Sequence, residues 1–72
     1  MEIVEIETKE TLGREEVAKR LHALADQLAR NNKLEFERAG TRFTVTVPDE
    51  VQLKVEMEVE TDGRELEIEL TW

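Results

Sequence analysis

The sequence predicts an α+β fold, one helix packed on one face of a five-stranded, mostly antiparallel sheet in the order β-α-β-β-β-β. Three observations carry this. Val51, Leu53, Val55, Met57 and Val59 alternate with Gln52, Lys54, Glu56, Glu58 and Glu60. Leu66, Ile68, Leu70 and Trp72 alternate in the same way with Glu65, Glu67, Glu69 and Thr71. Successive strand side chains point to opposite faces, so these two segments make a hairpin with an aliphatic face and a mostly carboxylate face. Upstream the period changes: Val17, Leu21, Leu24 and Leu28 fall at i, i+4, i+7 and i+11, a helical stripe flanked by Ala18, Ala25 and Ala29.

Taken in order, Glu2 to Thr8 alternates loosely, Val4 and Ile6 against Ile3, Glu5 and Glu7, and reads as a first strand. The helix is expected over residues 14–30, with Gly13 as N-cap and Leu12 able to pack on Val17 across the first turn. Glu15 and Glu16 sit where the helix dipole is positive, and Asn31 and Asn32 tolerate the left-handed conformation that ends a helix. Glu15–Lys19, Glu16–Arg20 and Asp26–Arg30 are acid-before-base pairs at i,i+4. His22 falls off the apolar stripe, one turn before Asp26, and reads as a surface residue paired with it.

Lys33–Arg38 and Thr41–Val47 flank Ala39-Gly40. A two-residue loop there sets Phe36 opposite Phe43, Leu34 opposite Val45 and Glu37 opposite Arg42. Pro48, Asp49 and Glu50 form the next turn, and Asp62-Gly63 suits a type I′ hairpin turn. That turn aligns Val59 with Leu66, Met57 with Ile68, Val55 with Leu70 and Leu53 with Trp72. Phe36, Phe43, Met57 and Trp72 are then expected in the core beneath the helix, with Trp72 closing one end. The first strand can lie antiparallel beside the fifth or make a right-handed parallel crossover to the second. The former covers the apolar last strand and leaves charged outer edges.

At this length the chain is a single domain, 1–72, whose folded surface is roughly 4,600 Å² against roughly 12,000 Å² unfolded. A core this thin fills the space between a sheet and a helix and leaves little room for a substrate cavity. Eighteen acidic against ten basic side chains give a net charge of -8, which disfavours nucleic acid and anionic membranes as partners. The charge is uneven: -3 over residues 1–8, +2 over 9–42 and -7 over 43–72. There is no cysteine, and the start has neither the positive end nor the apolar stretch of a signal peptide, so a cytoplasmic location is expected.

Gly13-Arg14-Glu15-Glu16-Val17-Ala18, the turn Val45-Thr46-Val47-Pro48-Asp49-Glu50-Val51 and the ending Glu65-Leu66-Glu67-Ile68-Glu69-Leu70-Thr71-Trp72 resemble the amphi-Trp domain family over nearly the whole chain. These are small acidic proteins of archaea and bacteria with an amphipathic pattern and a terminal tryptophan. Gly13 stands where the family pattern has Ser or Thr, a departure at the helix cap that leaves the fold unaltered. The resemblance implies no activity, cofactor or catalytic residue. Family members often occur in salt-loving organisms, which suits the charge.

The polar face is the one candidate surface. The expected register puts Glu60 opposite Glu65, Glu58 opposite Glu67 and Glu56 opposite Glu69, and like charges directly opposite destabilise a sheet. The face is expected to be solvated or to dock a basic protein or peptide. The alternative is low-affinity divalent cation binding by Glu56, Glu58, Glu65, Glu67 and Glu69, since carboxylates are hard oxygen ligands. Catalysis has little raw material: Ser, Cys and Tyr are absent, no histidine adjoins a threonine, and the carboxylates flank no cleft. A non-enzymatic domain without cofactor, monomeric or weakly dimeric, is the expectation. Phe36, Phe43 and Trp72 lack the basic neighbours of a nucleic-acid stacking platform.

Overall fold

The computed structural model describes residues 4–72, with one helix and two β-hairpins. Helix α1 spans Arg14–Asn31. Gly13 is its N-cap in extended conformation and offers no side-chain bond; the Val17 N–H donates to the Gly13 carbonyl at 3.1 Å to close the first turn. Asn32 ends it in the left-handed conformation, φ 45°, as an Asn C-cap can. Of the three expected i,i+4 pairs, Glu16–Arg20 forms among the described residues, at 3.5 Å. Arg20 also bonds Glu10, and that hydrogen bond and charge raise the guanidinium pKa above its ordinary value. His22 is exposed as expected, without an ion pair to Asp26 among the described residues.

Strands β1 (Lys33–Arg38) and β2 (Thr41–Thr46) pair antiparallel in the expected register: Phe36 opposite Phe43, Leu34 opposite Val45, Glu37 opposite Arg42. Ala39 and Gly40 take φ 51° and 79°, the two positive values a type I′ loop demands. Beyond the open end the Val47 N–H donates to the Asn32 carbonyl at 2.8 Å. The helix contacts β1, and the Glu35 N–H donates to Gln27 Oε1 at 3.2 Å across that junction. Leu34, 7% exposed, and Val47, 5% exposed, are the buried centre, with Ile6, Leu12, Leu24, Leu28 and Phe43 half-buried.

Strands β3 (Gln52–Val59) and β4 (Arg64–Thr71) form the second hairpin, which pairs with neither strand of the first. The five-stranded sheet is therefore corrected to two separate two-stranded antiparallel sheets. Val47 turns its N–H inward to Asn32, so the outward donors of β2 are those of Arg42, Thr44 and Thr46, and at the next outward position Pro48 has none to give, which ends the edge on which β3 could extend the sheet.

The first strand is a second correction. Its residues 2 and 3 lie outside the described residues, and from Val4 to Thr8 the chain is irregular. The Glu5 carbonyl is taken by Arg38 Nη1 at 2.9 Å instead of a ladder N–H, while Val4 and Ile6 lie beside Phe36, Phe43 and Val45 along an apolar cleft of about 320 Å³.

The third correction is the register of the second hairpin. Gly63 does not take positive φ, and the connection is a four-residue loop, Glu60 to Gly63, closed by the Glu60 N–H donating to the Gly63 carbonyl at 2.8 Å. Every pairing moves by two: Val59 faces Arg64, Met57 faces Leu66, Val55 faces Ile68 and Leu53 faces Leu70. A shift of two keeps every side chain on its expected face. It also replaces one Glu–Glu opposition with Lys54 opposite Glu69, which is electrostatically cheaper. Trp72 falls past the end of β4, faces no partner strand and is 53% exposed; Phe36 and Met57, also expected in the core, are exposed.

Candidate functional site

The polar face of β3–β4 gathers the five glutamates singled out in the sequence. Alternation places them together, since residues at even spacing along each strand share a face. Glu56 lies opposite Glu67 and Glu58 opposite Glu65, while Glu69 lies opposite Lys54. All five are exposed. Lys54 Nζ also reaches Glu56 Oε2 at 3.3 Å on its own strand, so this ammonium partly neutralises the end away from the turn. Toward the turn no cation balances the Glu58–Glu65 pair until Arg64. There Glu58, Glu60, Gly63, Arg64 and Glu65 line an open hollow of about 180 Å³.

Chemically this is a flat, solvated anionic surface, graded along the hairpin from partly neutralised at Lys54 to strongly negative at Glu58 and Glu65. Ca²⁺ takes six to eight oxygens, which needs enclosing loop carbonyls as well as carboxylates. Among the described residues no group of three or more Asp, Glu or His is arranged to hold a metal ion, so the ladder offers its carboxylates in facing pairs.

Reading the sequence missed Lys54 as a member of this face. Its place in the alternation with Glu56 and Glu58 was the available signal, but its partner Glu69 follows only from the observed register. It also missed the opposite face. Leu53, Val55, Met57, Val59, Leu66 and Ile68 were read as core, yet each is between 53% and 66% exposed. The hairpin thus presents two exposed surfaces back to back, one anionic and one apolar.

Among the described residues no helix is long and apolar enough to cross a membrane. Comparison with curated proteins and with solved structures finds no match. The family model of the Amphi-Trp domain matches residues 1–72, and with the alternating hairpin, the amphipathic helix and the closing tryptophan all in place, the chain belongs to the Amphi-Trp domain family.

Proposed function

We propose that the chain is a non-enzymatic acidic domain of the cytoplasm, adapted to salt, whose β3–β4 carboxylate face docks a basic protein segment. The observation that carries this reading is the exposed ladder of five glutamates, in which Glu56 faces Glu67 and Glu58 faces Glu65, and among the described residues Lys54 pairs with Glu56 while Glu58, Glu65 and Glu67 have no ion pair. Like charges directly opposite each other destabilise a hairpin. Placing Lys or Arg side chains over Glu56, Glu58, Glu65 and Glu67 relieves that cost, so a basic partner gains from repulsion already present in the free protein. A negative surface of this kind also speeds encounter with cationic partners and repels nucleic acid.

The test is fluorescence anisotropy of a labelled lysine-rich peptide. Saturable binding at low salt that weakens steeply with KCl, and that the paired change Glu58→Lys with Glu65→Lys abolishes, is expected. Absence of binding at low salt, or binding indifferent to that charge reversal, refutes the docking reading. Ca²⁺ against ionic-strength-matched KCl distinguishes the cation alternative. Saturable NMR shifts localised at Glu58 and Glu65 in Ca²⁺ alone place cation binding ahead of docking.

A further inference from the structure

We propose that the aliphatic face of β3–β4 is covered by a second copy of this chain, each copy laying its second hairpin on the helix of the other. This face lies opposite the carboxylates, and its covering does not depend on what the carboxylates bind. The chain exposes 7016 Å², where the size scaling gives roughly 4,600 Å² for a compact protein of 8.4 kDa, an excess of roughly 2,400 Å². The radius of gyration agrees: 14.3 Å against roughly 11 Å for a compact chain of this length.

Part of the excess lies on one face. Six large aliphatic side chains of the second hairpin stand more than half exposed on one face, and neither the helix nor the first hairpin packs on it. An isolated two-stranded hairpin is at best marginally stable in water. A contiguous apolar face of this kind marks a surface made to be covered.

The geometry of a single copy leaves it bare. A helix with its side chains is about 10–12 Å across. Strands lie about 4.8 Å apart, so one helix spans about two of them. Helix α1 already lies against β1 of the first hairpin, and β3 and β4 pair with neither strand of that hairpin. A second helix is required, and a second copy brings one.

The area suits such a partner. Over both copies the excess amounts to roughly 4,800 Å², the upper bound on what the pair can bury, and permanent homodimers bury roughly 2,000–5,000 Å². A two-fold arrangement is the simplest that covers both apolar faces and closes on itself, and exchange of an element about a short link is a low-cost route to it. Residues 47–51, between the two hairpins, are that link.

Charge chooses what lies on what. Residues 43–72 carry -7 while residues 9–42, which include the helix, carry +2. Hairpin on hairpin would stack two strongly negative segments, whereas hairpin on helix brings opposite signs together. The helix has a receiving surface: Val17 and Leu21 are 42% and 47% exposed, and Ala18, Leu21, His22 and Ala25 line a shallow hollow of about 250 Å³. Small alanines there let the strands approach closely. Trp72, half exposed at the end of the apolar row, is covered in the same step.

Light scattering coupled to size exclusion reads the mass of the unmodified chain. At tens of micromolar it should be twice 8.4 kDa, and the Trp72 emission should shift to the blue as dilution is reversed, along the same concentration curve. A mass of 8.4 kDa throughout that range overturns the proposal. The chain has no cysteine, so Leu21→Cys and Ile68→Cys placed in separate copies report the arrangement. Oxidation of the mixture should give the mixed Leu21→Cys/Ile68→Cys dimer in excess over either self-pair. Dominant pairing of Ile68→Cys with itself means hairpin on hairpin and overturns the exchange.

Discussion

The two hairpin turns contain the same residue in chemically different positions, and replacing each glycine by alanine separates them. Gly40 sits at φ 79°, left-handed backbone that an L-residue enters at about 1–2 kcal/mol. Alanine in place of glycine also restricts the unfolded chain, which returns about 0.4–1 kcal/mol. The balance for Gly40→Ala is a loss of about 1 kcal/mol. Gly63 is outside the left-handed region, and a Cβ there meets nothing within 4 Å, so only the gain remains. Gly63→Ala should stabilise by about 0.4–1 kcal/mol. With a urea dependence of about 1 kcal/mol per molar for a chain this small, the two variants should shift the unfolding midpoint by up to about 1 M in opposite directions. Circular dichroism against urea measures it, at a fixed protein concentration so that association does not enter. If Gly63→Ala loses as much as Gly40→Ala, the second turn is type I′, and the hairpin has the register that aligns Val59 with Leu66.

Three further outcomes are expected. Glu58→Lys puts an ammonium opposite Glu65 and should raise stability by about 0.2–1 kcal/mol, read as a higher urea midpoint at low salt. Added KCl should raise the midpoint of the unmodified chain by screening the -8 charge and the opposed glutamates, and should raise that of Glu58→Lys by less. Leu34→Ala empties one of the two buried positions and should cost about 2–5 kcal/mol. A chain this size has only roughly 4–11 kcal/mol in all, so thermal unfolding of Leu34→Ala should begin near room temperature.

The helix and first hairpin were legible because their signals are local. Gly13 and Asn32 mark the helix ends, and Ala39-Gly40 sets a two-residue loop whose register then follows by counting. In the second hairpin the alternation assigned every face correctly, but alternation is blind to a slip of two. Asp62-Gly63 suggested one turn, and the cost of stacking three glutamate pairs favoured another. The layering was the least legible. Periodicity tells which side of a strand is apolar without telling what lies on it, so Leu53, Met57 and Trp72 read as core beneath a helix that reaches only the first hairpin. The width of one helix against five strands was the signal available. On the polar face the five glutamates were correctly grouped, while the place of Lys54 among them depended on the slip.

Among the described residues, every contact between elements joins neighbours along the chain: β1 with β2, β3 with β4, and the helix with the strand that follows it. No strand has to wait for a distant segment to arrive. Low contact order of this kind goes with folding in microseconds to milliseconds, since little loop-closure entropy precedes the first stabilising contacts. The separation of the two hairpins across residues 47–51 therefore divides the chain in time as well as in space. The helix and first hairpin can gather Leu34 and Val47 into a nucleus on their own, while the second hairpin zips separately from its turn.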